Sequence, residues 1–127
     1  MATFNIDKLA EKVGSDVEQL SRAITIALFN GVVRQTRVDT GRLRGNWQTT
    51  VGRPATGTVE NTDQVPLGAD GGQAQEQVTR NVQPMSKNII TNNLPYAGVW
   101  NKRDAIVAGE IARLERTIRE QIRELKR

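Results

Sequence analysis

Apolar residues recur at three- and four-residue spacing at Val17, Leu20, Ile24, Leu28 and Val32, with Val13 leading in. This spacing lays them along one side of a helix and predicts a core-facing helix of about twenty residues. Ile26, Phe29 and Val33 widen that side beyond a single stripe, so the helix is expected to be covered on two sides, one of them by a neighbouring subunit. Ser15 and Glu18 stand at capping-box spacing, the Ser oxygen serving an orphan N–H while Glu reaches back. Gly14 would end a shorter first helix spanning about residues 6–13, with Asn5 as its cap.

Val38-Asp39-Thr40-Gly41 interrupts the helical pattern. Asp and Thr side chains bond nearby backbone N–H groups, and Gly adopts angles that other residues resist. From Arg42 the period becomes two. Leu43, Gly45, Trp47, Thr49 and Val51 alternate with Arg42, Arg44, Asn46, Gln48 and Thr50. That alternation predicts a strand with one buried and one wet side, as in an antiparallel sheet covered on a single face.

Residues 52–86 are rich in Gly, Thr, Gln, Asn and Pro, and structureless stretches of this length are uncommon in compact domains. Within them Ala74, Val78 and Val82 stand four apart, predicting a short amphipathic helix near 72–82. Asn88 to Asn92 reads as a second strand, running into an Asn-Asn-Leu-Pro turn. Asp104 is placed to cap a last helix whose apolar positions are Val107, Ile111, Leu114, Ile118, Ile122 and Leu125. The expected fold is α+β over one domain, 1–127. A small antiparallel sheet packs against a long N-terminal helix and a C-terminal helix, and a long loop, about 53–87, carries the short helix.

Composition narrows the chemistry. The chain has no cysteine and no histidine. Thiolate metal sites and disulfides are excluded, and so are the commonest general base and the commonest metal ligand. No cofactor is expected. The longest apolar run is only a few residues, so no membrane span is expected, and the N-terminal residues do not read as a signal peptide. The net charge of +4 is unevenly spread. Five arginines and one acid, Asp39, lie between Arg34 and Arg53; four acids (Glu60, Asp63, Asp70 and Glu76) and one base, Arg80, lie between Pro54 and Ser86. Alternating blocks suit subunits that meet through opposite charges. The candidate interface residues on this reading are Arg37, Arg42, Arg44, Glu60, Asp63, Asp70, Glu76 and Trp100.

Asp39-Thr40-Gly41 matches the triplet of aspartic proteases, but that chemistry needs an Asp in an apolar loop where two acids share a proton. Arg37 and Arg42 flank Asp39 and would hold it ionised. A structural turn is the favoured reading. No calcium-loop spacing appears, and no Gly-Lys-Ser or Gly-Lys-Thr follows a glycine-rich turn. Arg42 and Arg44 are candidates for phosphate contact, which makes a small nucleic-acid-binding module, using Arg37, Arg42, Arg44 and the basic tail, the competing function class. No catalytic residue and no metal ligand is assigned.

Two segments carry a resemblance. Val38-Asp39-Thr40-Gly41-Arg42-Leu43-Arg44, leading to Trp47, and Asn92-Asn93-Leu94-Pro95-Tyr96-Ala97 resemble the two signature corners of the neck and tail-completion proteins of tailed bacteriophages. In that family a long helix runs into the first corner and a strand, and a strand ends in the second. The likeness covers about two-thirds of the chain when the long helix is included. The chain departs after the second corner: Gly98 to Asp104 stand where many relatives carry a Ser-Lys-Gln-Ala-Pro run. The resemblance implies a non-enzymatic subunit of a ring of six or twelve copies at the head–tail junction of a virion, made in the bacterial cytoplasm. Its implied partners are further copies of itself, portal or adaptor proteins and tail-tube or tail-terminator proteins, with DNA passing through the lumen unread. The excursion over 54–86 is then expected to reach a neighbouring ring or line the channel.

Overall fold

A computed structural model describes residues 17–125 apart from 39 and 70. The helix expected over 6–13, the capping-box residue Ser15, and Asp39 and Asp70 lie outside the described residues. In chain order the elements are α1 (Val17–Arg34), α2 (Arg42–Gly45), β1 (Trp47–Val51), α3 (Gly72–Arg80), β2 (Asn88–Asn92), α4 (Ala97–Asp104) and α5 (Ile106–Leu125). β1 and β2 form a two-stranded antiparallel sheet in which Trp47 faces Asn92 and Val51 faces Asn88. A two-stranded ribbon is marginal alone. Here helices supply the missing support.

The core joins Phe29, Val32 and Val33 of α1, Trp47 of β1, Ala74 and Val78 of α3, Val82, and Ile106 of α5. All three residues that predicted the short helix are therefore core residues. α3 belongs to the packed interior because its apolar side closes the gap between α1 and β1, so this part of the 54–86 excursion does not reach outward. Two buried polar contacts lock the layers. Trp47 Nε1 donates to Thr36 Oγ1 at 2.8 Å, and Thr49 Oγ1 donates to the Val78 carbonyl at 2.6 Å. Thr36 Oγ1 in turn donates to the Val32 carbonyl at 2.7 Å, so each polar group has a partner where water is excluded.

Two expectations need correction. The strand does not begin at Arg42: residues 42–45 make one helical turn, with Gly45 N donating to the Gly41 carbonyl at 3.0 Å. Gly41 at φ 84 turns the chain into it, and the strand starts only at Trp47. The period-two pattern thus held for Trp47 and Thr49, which are buried, and failed for Arg44 and Asn46, which are buried as well instead of wet, and for Val51, which is exposed. Asn46 is satisfied by donating to the Arg42 carbonyl at 2.8 Å and accepting from Val59 N at 2.9 Å.

The second correction concerns the last helix. Asp104 ends α4 instead of capping a single helix, and Ala105, in left-handed backbone at φ 48 and ψ 46, separates α4 from α5. Asn101 does the capping: its Oδ1 accepts from Val107 N at 3.0 Å in the first turn of α5. α5 packs closely on α1 at Gly31, where any side chain would collide with the buried carboxylate of Glu110. No helix among the described residues is long and apolar enough to cross a membrane.

Candidate functional site

The two segments that carry the resemblance, far apart in the chain, meet in space. Leu43 from the first packs with Leu94 and Ala97 from the second, and Trp100 lies against them. Asn92 Nδ2 donates to the Leu43 carbonyl at 2.8 Å, tying the end of β2 to the helical turn α2. Asn92 Oδ1 accepts from Leu94 N at 3.3 Å, shaping its own turn. Asn93 extends the same junction outward by donating to the carbonyls of Ala55 and Gly57, at 2.8 and 3.0 Å. Pro95 and Tyr96 are exposed beside it.

Arg44 is the keystone of the first corner. Its side chain is 0% exposed, and Nε lies 3.6 Å from Oδ1 of Asp63, itself 2% exposed. Nη1 donates to the Pro66 carbonyl at 3.3 Å and Nη2 to the Ala69 carbonyl at 3.1 Å. A planar guanidinium with several fixed donors suits this role, whereas a lysine presents a single charged point. Asp63 serves both sides. Its Oδ1 accepts from Val65 N at 2.9 Å, its Oδ2 from Ala74 N at 2.8 Å, and its own N–H donates to the Gly41 carbonyl at 2.9 Å. The Ala74 bond brings a carboxylate to the first turn of α3, where orphan N–H groups and the helix dipole favour negative charge. Gln75 closes that end by accepting from Gly71 N at 2.7 Å.

The room for this arrangement comes from glycine. A Cβ at Gly41 would lie 2.7 Å from the Asp63 carbonyl oxygen. One at Gly45 would run into the Asn61 carbonyl. Thr40 Oγ1 accepts from Arg42 N at 3.2 Å, the local bond expected of this turn.

Outside the keystone the structure brings Arg37 and Trp100 together and disperses the other candidates it describes. Arg37 Nε donates to Asp104 Oδ2 at 2.6 Å and Nη2 to Oδ1 at 3.2 Å, making a two-pronged pair. The same guanidinium sits over the Trp100 ring at 4.3 Å, and Arg103 approaches that ring at 5.3 Å. The hydrogen bond from Arg37, more than the coulombic attraction of Arg37 and Arg103, holds the Asp104 carboxyl below the usual carboxylate range. Burial opposes that shift. The same bond raises the Arg37 guanidinium above its ordinary value. Arg42 and Glu60 are exposed, and Glu76 pairs with Arg80 at 2.9 Å on the surface of α3. Val38 is half-buried. Among the interface candidates, Arg44 and Asp63 are committed to each other inside one chain. They leave no charge at the surface, because the fold uses both to fix the 63–72 segment.

Val38, Arg37, Leu67, Tyr96, Trp100 and Arg113 help line an open groove of about 1300 Å³ next to the corner. Glu110, on its floor, pairs with Arg113. Sequence reasoning missed Glu110, Thr36 and Gln75 as structural polar groups. The i, i+3 spacing of Glu110 and Arg113 was visible, but nothing in the chain marks Thr36 as the acceptor for an indole eleven residues away. Among the described residues no group of three or more acids could hold a metal ion. Comparisons with family models, curated proteins and solved structures find no match.

Proposed function

We propose that this chain is a structural subunit of a tailed-bacteriophage neck ring, joining the portal side to the tail while DNA passes through. One observation carries the reading. The two segments that resemble the family's signature corners pack on each other through Leu43, Leu94 and Ala97 and share the Asn92–Leu43 hydrogen bond. Segments about fifty residues apart that serve one junction behave as a single scaffold element, which is what a ring wall requires. Most of the polar chemistry at this junction is structural. Arg44 is enclosed by Asp63 and two carbonyls, and Arg37 is spent on Asp104 and Trp100.

The same facts weigh against a nucleic-acid-binding module. Two of the three arginines assigned to phosphate contact, Arg37 and Arg44, are engaged inside the chain, and duplex binding draws on free cations. In the ring reading each subunit presents two different patches, and head-to-tail contacts close by rotation. The partners are further copies, portal or adaptor proteins on one side and tail proteins on the other. The place of action is the virion neck.

Electron microscopy of the purified protein, and of particles carrying a tagged copy, tests the proposal. Closed rings, or a label at the head–tail junction, are the expected outcome. A protein that stays solitary, leaves particles unlabelled and binds duplex DNA tightly at physiological salt would overturn it.

A further inference from the structure

α4 is thinly anchored. Of its eight residues, Gly98, Val99, Lys102 and Arg103 are exposed. Its inward contacts are few. Ala97 packs on Leu43 and Leu94, and half-buried Trp100 lies against them. This small cluster is separate from the core in which Phe29, Val32, Val33 and Ile106 join α1 to α5.

The backbone at the end of α4 works against its position. Ala105 stands at φ 48 and ψ 46, in the left-handed region that an L-residue adopts at a cost. Alanine is the strongest helix former, so the local preference at this residue is for the helix to continue. Tertiary contacts impose the break. On the far side, α5 has its own anchors: Ile106 is 2% exposed within the core, and Glu110 abuts Gly31.

Arg37, in the segment after α1, supplies the contact that holds α4 down. Its guanidinium donates to both carboxylate oxygens of Asp104, at 2.6 and 3.2 Å, and lies 4.3 Å from the centre of the Trp100 ring. One side chain thus grips α4 at two residues a single turn apart.

We infer that α4 is a flap latched by Arg37, opening about Ala105 as a local unit while the rest of the fold stays closed. Proteins open in such units, and elements with few buried apolar contacts open first. Opening uncovers Leu43 and Leu94, which are 8% and 3% exposed in the closed form. Leu67 and Tyr96, already exposed, line the same groove as Leu43. An apolar surface therefore replaces one that carries Lys102 and Arg103. The position of α4 governs access to the junction between the two corners. The inference goes beyond the ring reading and does not rest on it.

Hydrogen exchange of the full chain, followed by mass spectrometry, tests the latch. Arg37→Ala removes the ion pair and the ring contact together. Exposed contacts of these two kinds are jointly worth about tenfold in an opening equilibrium, so amides of 97–104 should exchange about tenfold faster than in the parent. Amides of α1, β1 and β2 should keep the parent's rates. Arg37→Lys, which retains the charge and loses the two-pronged geometry, should fall between. Glu76→Ala breaks the surface pair with Arg80 on α3 and should leave 97–104 unchanged. Unaltered exchange of 97–104 in Arg37→Ala overturns the inference. So does a rise that α1 and β2 share equally, because the whole fold would then have loosened.

Discussion

Arg44 and Asp63 face each other inside the protein, Nε to Oδ1 at 3.6 Å, with almost no exposure of either side chain. Removing one partner strands a buried charge and releases the carbonyls of Pro66 and Ala69 or the N–H groups of Val65 and Ala74. Arg44→Ala and Asp63→Ala should each cost about 3–5 kcal/mol in urea unfolding. Arg44→Lys should recover only part of the loss, since one ammonium cannot reach both carbonyls while staying beside Asp63. A cost below about 1 kcal/mol for Arg44→Ala would sink the keystone role.

Gly41 should be irreplaceable for two reasons that act together. Its φ is +84, and a Cβ would press on Asp63 backbone at 2.7 to 2.8 Å. Gly41→Ala is expected to lower stability by about 2 kcal/mol or more. Gly57→Ala is the control, because nothing lies within 4 Å of its Cβ position. It should change stability by no more than about 0.5 kcal/mol, read from paired thermal melts.

Thr36→Val keeps shape but takes away the acceptor of the Trp47 indole N–H. An unsatisfied buried donor costs about 1–3 kcal/mol, so the variant should unfold at lower denaturant while Thr36→Ser stays close to the parent. Equal stability of the Val variant would show that the bond contributes nothing.

The Arg37–Asp104 pair gives a pH dependence of known sign. Asp104 has its pKa lowered in the folded protein, chiefly by the hydrogen bond from Arg37. The unfolded chain therefore binds the proton more readily, and the contribution is present at neutral pH. It fades as the pH falls below about 4, through the folded value. The stability difference between the parent and Asp104→Asn should shrink over that range. A difference that grows on acidification would contradict the assignment.

Ala105 separates α4 from α5 at φ 48 and ψ 46, a conformation that costs an L-residue about 1 kcal/mol. Ala105→Gly should raise the melting temperature modestly, with glycine's greater freedom in the unfolded chain offsetting part of the gain. A lower melting temperature would argue that the Ala105 methyl makes a contact that matters.

Helical periodicity was the strongest signal. Phe29, Val32 and Val33 enter the core from α1, and Ala74, Val78 and Val82, read as a short helix inside a polar stretch, all reach it. β2 occupies the predicted residues 88–92. The alternation from Arg42 misled because a single helical turn spans too few residues to show a period. Gly41 and Gly45 allow that turn by admitting the backbone of the 61–63 segment, a neighbour no local pattern reveals. Asp104 looked like a cap because it precedes an apolar helix. Arg37, 67 residues earlier, claims its carboxylate, leaving Asn101 to do the capping.

By itself the sequence determined where α1, α3, α5 and the second strand form and that α1 and α3 turn apolar residues inward, because those depend on spacing along the chain. It also determined the lack of thiol and imidazole chemistry. Tertiary structure alone decided that Arg44 is a buried tie instead of a surface charge and that the two corners are one junction. Each of these depends on which distant segments come within a few ångströms, and a buried cation is tolerable only when such partners arrive to receive it.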